Sequence, residues 1–133
     1  MTDKPTQYHS YKDLQVWQKS LDFCAQVIDS VQALKSNERQ LLGEVLLSAS
    51  FAVPALIANG YSSRSKVTYI DSLKAALNQL SVIETVMLSA QMSQISLGLE
   101  LDTVQHIRIM LAKLTSSLTN KGKEPKAEAT AEE

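Results

Sequence analysis

The feature of this sequence that most constrains its fold is a run of apolar residues at alternating spacings of three and four. The run consists of Leu14, Trp17, Leu21, Cys24, Ile28 and Val31, and Leu34 continues it. Charged residues fall outside the run, at Lys12, Asp13, Lys19, Asp22 and Asp29. Because this heptad pattern places apolar side chains on one stripe of a helix, it predicts a long amphipathic first helix that buries the stripe. Ser10 or Asp13 is the candidate cap at its start.

Helical periodicity returns in three further segments. The predicted helices run from about Glu38 to Asn59, from near Ser65 to the polar stretch before Gly98, and from Leu101 to Leu118. Pro54 lies inside the second helix, where it removes a backbone donor and predicts a kink or a wide turn. The Asn59-Gly60 pair predicts the end of that helix, because both residues tolerate the left-handed conformation.

The composition favours a single all-α domain. The chain has 133 residues, of which 44% are hydrophobic and 5% aromatic, with four glycines and three prolines. These values argue against a β-sandwich, a barrel or a wholly disordered chain. Four amphipathic helices with short connections predict an antiparallel up-down-up-down four-helix bundle over residues 11–120. We expect a flexible segment at 1–10 and a disordered charged tail at 121–133.

The apolar faces of the second, third and fourth helices are wider than the stripe that a monomeric bundle buries. The excess predicts a second buried surface and therefore self-association. The alternative is that counting residues on a helical wheel exaggerates the width of a face.

Charge and hydropathy set limits on partners and on location. Thirteen basic and fourteen acidic residues give a formal charge of −1, which argues against a strongly basic nucleic-acid module. Residues 45–63 are uncharged, but their apolar centre from Val45 to Ala58 spans roughly 21 Å as a helix, short of the ~30 Å hydrocarbon core. We therefore expect a core helix, no membrane association and a cytoplasmic protein.

Few residues point to catalysis or to metal binding. The single cysteine, Cys24, excludes an intramolecular disulfide and a Cys-rich metal site, and no spacing typical of zinc or di-iron ligands occurs. Asp102 and His106 share a helix face, but a surface ion pair is the simpler interpretation. Glu84 falls near the core-facing stripe of the third helix, where a carboxylate needs a partner. We expect no enzyme activity, no metal and no cofactor.

The segment from Gly60 to Lys66 gathers polar donors, an aromatic ring and the cations Arg64 and Lys66 at a helix start. Such an arrangement can bind an anion through the helix-terminal N–H groups, and ordinary capping is the alternative. Although the net charge of the chain is close to zero, basic residues that form a local stripe could bind nucleic acid. The candidate residues are Arg64, Lys66, Arg39, Lys74, Arg108 and Lys113.

Three motifs resemble a known family. They are Tyr11-Lys12-Asp13-Leu14-Gln15-Val16-Trp17-Gln18-Lys19, Val53-Pro54-Ala55-Leu56-Ile57-Ala58-Asn59-Gly60-Tyr61 and Ile83-Glu84-Thr85. They are similar to the corresponding elements of the four-helix-bundle proteins encoded in 23S rRNA intervening sequences, whose relatives include the accessory variability determinant proteins of diversity-generating retroelements. The shared structural residues are Trp17, Pro54, Ile57, Gly60 and Glu84.

The resemblance implies an antiparallel bundle, a ring-like homopentamer and a binding role that involves RNA, DNA or a reverse transcriptase, with no established enzyme activity. Some family positions differ here: a basic pair falls on Leu47 and Ser48, an Asn on Leu56 and a Glu on Asn59. We therefore expect a non-enzymatic oligomeric binding or scaffold protein of the 23S rRNA intervening-sequence type. The alternative is a nucleic-acid-binding accessory protein that acts with a reverse transcriptase or ribosomal RNA.

Overall fold

The computed structural model describes residues 10–121 of the chain. After a 3₁₀ turn at Tyr11–Asp13, the helices are α1 (Gln15–Ala33), α2 (Ser36–Ser62), α3 (Lys66–Met92) and α4 (Leu101–Lys121). These described residues contain no strand, and the prediction of an all-α protein with four helices is confirmed. The segments predicted as flexible, 1–10 and 121–133, lie outside the described residues except for Ser10 and Lys121.

The helices form an antiparallel bundle because short connections join them. Two residues separate α1 from α2, three separate α2 from α3, and eight separate α3 from α4. Most contacts between helices join successive helices or join α1 to α4. The helices therefore lie at the corners of a square in chain order, with the α1–α2 pair on one side and the α3–α4 pair on the opposite side.

Side-chain caps fix two of the turns that start helical structure. The backbone N–H of Lys12 donates to Ser10 Oγ at 3.0 Å, and the N–H of Ser10 donates to Asp13 Oδ2 at 3.2 Å. Ser10 therefore caps the 3₁₀ turn before α1 and not α1 itself. At the start of α3, the N–H of Thr68 donates to Ser65 Oγ at 3.2 Å, which confirms the helix start predicted near Ser65.

Helix α2 continues through Pro54 but contains a wide turn elsewhere. The segment Arg39–Gly43 has π-helical hydrogen bonding, and Glu44–Ser62 is α-helical throughout. The wide turn predicted at Pro54 thus lies near the start of the helix instead. A π turn accommodates one extra residue in a helix, and here it occurs where Gly43 passes close to Val31 of α1.

Gly60 has a different role from the one predicted, because α2 extends past it to Ser62. A Cβ atom at Gly60 would lie 2.6 Å from Ser72 Cβ and 3.2 Å from Tyr69 Cδ1 of α3. The glycine therefore allows α2 and α3 to approach closely, and the left-handed residue beyond the helix is Arg64, with φ of 63°.

The core lies on the inner faces of all four helices. Its fully enclosed residues, at 0% exposure, include Val27, Leu46, Ile57, Leu73, Leu80, Ile83, Val104 and Leu111. On α1 the core stripe consists of Val16, Phe23, Val27 and Val31, with Ser20 and Cys24 beside it.

The predicted burial of the α1 heptad stripe is wrong for part of the stripe. Leu21 is 46% exposed and Ile28 is 38% exposed, and Trp17 is only partly buried. Helix α1 carries two apolar stripes side by side, and the less regular one, which includes Phe23 and Val27, faces the core.

Candidate functional site

An apolar groove lies along the outer side of the α1–α2 pair and has a volume of ≈ 490 Å³. Its lining residues are Tyr11, Trp17, Leu21, Cys24, Ala25, Ile28, Phe51, Pro54, Ala55 and Ala58. We call this surface the α1–α2 groove. Its α1 side extends from Trp17 to Ile28, which is roughly 16 Å, or about three turns, at the rise of an α-helix.

The groove exists because large and small apolar residues alternate along its length. Leu21, Ile28 and Phe51 expose between 38% and 46% of their surface, whereas the alanines between them leave space that a larger side chain would fill. The rings of Tyr11 and Trp17 pack edge to face at 5.3 Å near the start of α1, a favoured aromatic geometry. The groove thus has an ordered aromatic end and an apolar lining.

Cys24 lines the groove but is not a reactive nucleophile. Its Sγ donates to the backbone carbonyl of Ser50 at 3.1 Å, and the residue is 4% exposed. Burial raises the pKa of the Cys24 thiol to about 11, so the thiolate is scarce at neutral pH. Ser50 lies beside it at 1% exposure, and its Oγ has no hydrogen-bond partner among the described residues.

A polar cluster bridges α3 and α4 on the opposite side of the bundle. Glu84 Oε1 accepts from the guanidinium of Arg108 at 2.6 Å, and Glu84 Oε2 accepts from the amide of Gln105. The same guanidinium reaches Ser81 Oγ at 3.4 Å. Arg108 therefore supplies the partner that the position of Glu84 requires, and its charge is neutralised within the protein.

Two large apolar side chains flank this cluster. Leu88 and Ile109 each follow a member of the cluster by four residues, Glu84 on α3 and Gln105 on α4, and so share its face. Their exposed fractions are 46% and 53%. We call Leu88 and Ile109 the α3–α4 ridge.

The six predicted cationic contacts do not form one stripe. Arg39 donates to the carbonyl oxygens of Leu34 at 2.9 Å and Val31 at 3.3 Å, at the end of α1. Arg108 is held by Glu84. The other four, Arg64, Lys66, Lys74 and Lys113, are exposed on the α2–α3 connection and on α3 and α4.

The hydroxyl of Ser63 forms hydrogen bonds within the connection between α2 and α3. Ser63 Oγ donates to the carbonyl of Gly60 at 2.7 Å and accepts from the N–H of Ser65 at 3.2 Å. Below this turn the rings of Tyr61 and Tyr69 pack edge to face at 5.6 Å. The Tyr69 hydroxyl is buried without a partner among the described residues, and burial, with a smaller effect of Tyr61, raises its pKa to about 12.

The charges of the described side chains are segregated along the bundle axis. The hydrogen bonds of Cys24 with Ser50 and of Arg108 with Ser81 lie near the middle of the bundle. The half that contains the α2–α3 connection, which we call the basic half, has Lys12, Lys19, Arg64, Lys66, Lys74 and Lys113 against Asp13, Asp22 and Asp71. The other half, the acidic half, has Lys35 and Arg39 against Asp29, Glu38, Glu44, Glu100 and Asp102. The neutral total therefore conceals a dipolar surface.

The candidate pair Asp102 and His106 is not joined by further catalytic groups among residues 10–121. Asp102 and His106 are both exposed on α4. Residues 10–121 contain no group of three or more His, Cys, Asp or Glu that could hold a metal ion. Helix α2 is long and apolar enough to cross a membrane by length and composition, but Leu46, Val53 and Ile57 of this helix form part of the bundle core, as a core helix requires.

The five motif residues have architectural positions. Ile57 is in the core, Gly60 allows the close approach of α3, and Glu84 binds Arg108. Trp17 and Pro54 line the α1–α2 groove. Sequence reasoning did not single out Phe51, which also lines the groove; the only signal was its bulk in a helix whose other aromatic residue is Tyr61.

The described residues define a four-helix-bundle protein with an open apolar groove and a dipolar surface. A model of the 23S rRNA-intervening sequence protein family matches residues 12–118, which include nearly all of the four helices. The chain belongs to this family, as its motifs predicted. No curated protein matches the chain.

Proposed function

We propose that the protein is a non-enzymatic, cytoplasmic scaffold or binding protein that works as a homo-oligomer, in the ring-like form that the family resemblance implies. One observation carries the proposal: the most regular heptad stripe of the chain, which includes Leu21 and Ile28, lines a surface groove. A regular heptad stripe is typical of a helix that packs against another helix, and no helix among residues 10–121 covers this one.

The energetics support burial of the groove in an assembly. Each Å² of apolar surface removed from water contributes roughly 25 cal/mol, so side chains as exposed as Leu21, Ile28 and Phe51 gain by association. Clustered apolar side chains of this kind mark interaction sites on soluble proteins. Asp102 and His106 are exposed and offer no enclosed site for chemistry.

Light scattering coupled to size exclusion tests the proposal, with absorbance recorded at 260 and 280 nm. We expect the wild-type protein to elute as an oligomer, with a pentamer the mass that the resemblance implies. Leu21→Gln combined with Ile28→Gln removes apolar surface from the groove without adding charge and should shift the protein to smaller species. Val67→Gln is the matched control, because Val67 is 70% exposed at the start of α3 and lies outside the groove.

A wild-type monomer at micromolar concentration would overturn the proposal. Circular dichroism of the double variant must show the wild-type helix content, because Leu21 and Ile28 are already partly exposed and contribute less to the core than Val27. An oligomer that is unchanged by the double variant would show that another surface holds it together.

A second function, binding of RNA or DNA, as an accessory to a reverse transcriptase or to ribosomal RNA, is favoured by the charge segregation. The basic half presents Lys66, Lys74 and Lys113 as exposed cations, with Arg64 at its end. Phosphate backbones bind such cations with release of counterions, so affinity falls as salt rises.

Fluorescence anisotropy with a labelled single-stranded RNA tests this second function. Lys66→Glu with Lys74→Glu should lower the affinity by about tenfold or more and flatten the dependence on salt, because each lost phosphate contact reduces the slope by about 0.7 for single strands. Lys35→Glu in the acidic half is the control and should change the affinity little. Affinity that is unchanged between 50 and 300 mM salt would exclude a phosphate-driven mode.

A further inference from the structure

We propose that the α1–α2 groove of one protomer receives the α3–α4 ridge, Leu88 and Ile109, of a second copy of this chain. The inference rests on the proposed self-association and specifies the two surfaces that meet. Both surfaces carry large apolar side chains at 38–53% exposure, and no segment among residues 10–121 covers them. The interface is therefore head-to-tail, with different surfaces on the two partners.

The positions of the two surfaces in the bundle suit such an interface. The groove belongs to the α1–α2 side of the square, and the ridge belongs to the opposite α3–α4 side. Each protomer thus presents a groove to one neighbour and a ridge to the other. A head-to-tail contact of this kind closes into a ring when the rotation between neighbours permits it.

The two surfaces overlap in height near the middle of the bundle, where Phe51 and Ile109 lie, and Leu88 lies farther toward the α3–α4 connection. Cys24 in the groove is level with Ser50, because its Sγ donates to the Ser50 carbonyl. Gly60 of α2 packs against Ser72 of α3. Because the two helices are antiparallel, Ser50, ten positions before Gly60, is level with a residue about ten positions beyond Ser72, near residue 82. That position is next to Ser81, which contacts Arg108. Phe51 in the groove and Ile109 in the ridge are therefore at nearly equal heights when neighbouring bundles stand side by side.

Charge complementarity favours a second copy as the occupant. Helices α1 and α2 carry two basic residues, Lys19 and Arg39, against four carboxylates, Asp22, Asp29, Glu38 and Glu44. Asp22 and Asp29 directly follow the groove residues Leu21 and Ile28. Among the side chains that the structure describes, helices α3 and α4 carry four basic residues, Lys66, Lys74, Arg108 and Lys113, against three carboxylates, Asp71, Glu84 and Asp102. The groove side is thus acidic and the ridge side basic, which suits the two for each other and disfavours groove-to-groove pairing.

Cross-linking of two single-cysteine variants tests the interface. In a Cys24→Ser background, which retains a donor for the Ser50 carbonyl, one protein carries Phe51→Cys and the other carries Ile109→Cys. The two proteins are mixed under conditions that allow exchange of subunits and treated with a short bis-maleimide. We expect a strong cross-linked dimer in the mixture and little in either protein alone, and a ladder of higher species when both cysteines are in one chain.

The outcomes separate this inference from the proposed function. An oligomer in which Phe51→Cys cross-links to itself, and not to Ile109→Cys, would overturn the groove-to-ridge pairing and leave self-association intact. A monomeric wild-type protein would overturn both. A monomer that nevertheless binds an apolar helix from a different protein in the groove would assign the groove to that partner instead.

A second set of variants avoids engineered cysteines. Leu88→Gln with Ile109→Gln should dissociate the oligomer to the same extent as Leu21→Gln with Ile28→Gln, because each pair removes one side of the same interface. Leu41→Gln is the control, since Leu41 is 71% exposed on α2 and belongs to neither surface. If the ridge variant leaves the mass unchanged while the groove variant lowers it, the ridge is not the occupant.

Discussion

Gly60 shows how one residue sets the distance between two helices. An alanine in a helix interior is usually more stable than glycine by roughly 0.5–1 kcal/mol. At Gly60 the added Cβ would lie 2.6 Å from Ser72 Cβ, an atom fixed to the backbone of α3, so one helix must move. We expect Gly60→Ala to lower the free energy of unfolding in urea by about 1–3 kcal/mol, as overpacking does.

Two controls identify the cause of that loss. Gly98→Ala meets no atom within 4 Å but forces an L-residue to φ of +68°, so only backbone strain of about 1–2 kcal/mol is expected. Adding Ser72→Gly should restore part of the stability that Gly60→Ala loses and none of the stability that Gly98→Ala loses. Equal effects of Ser72→Gly on both variants would contradict a close contact between α2 and α3.

The buried thiol of Cys24 makes stability depend on alkaline pH. Its pKa is raised from the usual 9.0 to about 11 in the folded protein. Below pH 9 the thiol is neutral in both the folded and the unfolded protein, so its burial does not make the stability depend on pH. Between pH 9 and 11 the unfolded chain releases the proton more readily, so the stability falls as the pH rises.

We therefore expect the urea midpoint of the wild-type protein to decline between pH 9 and 10.5, and the decline to be smaller in Cys24→Ala. Tyr69, whose pKa is raised to about 12, adds a loss above its usual value of 10.0 in both proteins, so the difference between them isolates the thiol. Parallel curves for the two proteins would show that Cys24 is solvated.

At the scale of the helix, Arg39 acts as a cap for its neighbour. Its guanidinium donates to the carbonyl oxygens of Leu34 and Val31 at the end of α1, and the Val31 oxygen also accepts from the N–H of Leu34. Arg39→Met keeps most of the aliphatic stem and removes these bonds, and we expect a loss of about 1–2 kcal/mol, toward the lower end of the range for hydrogen bonds that involve a charged group because Arg39 is exposed. Amide hydrogen exchange should quicken in the last turn of α1.

Lys35→Met is the matched control for Arg39→Met, because it removes the same charge from an exposed neighbour. It should leave the stability nearly unchanged. Should Arg39→Met weaken RNA binding while the stability and the exchange at the end of α1 stay as in the wild type, Arg39 would be an anion contact and not a cap.

The elements also show what the sequence can and cannot predict. Periodicity locates all four helices, because the apolar spacing repeats over several turns in each. It does not decide which of two adjacent apolar stripes of α1 faces the core, since Val16, Phe23 and Val27 are as apolar as Leu21 and Ile28. That choice depends on the shapes of α2 and α4, which local spacing does not encode. The roles of Gly60 and Arg39 likewise come from residues on neighbouring helices.

For the whole molecule, the dipolar charge distribution acquires its full effect only in an assembly. In the ring proposed above, bundles that meet through the groove and the ridge are related by rotation about one axis, so all their basic halves lie on the same side. A phosphate backbone that contacts one protomer then finds the lysines of the next at a high effective concentration. A neutral total charge per chain is compatible with strong binding of a polyanion in this arrangement.

Loss of the oligomer should therefore weaken binding of RNA although no basic residue changes. Leu21→Gln with Ile28→Gln alters no charge, and neither residue belongs to the cations of the basic half. If the second function holds, we expect the double variant to bind a long single-stranded RNA at least about a hundredfold more weakly than the wild-type protein, as loss of multivalency entails. A short oligonucleotide that reaches only one protomer should bind both proteins equally well. Anisotropy titrations at one salt concentration with the two lengths make the measurement, and a loss of the same size for both lengths would mean that the groove residues themselves contact the RNA.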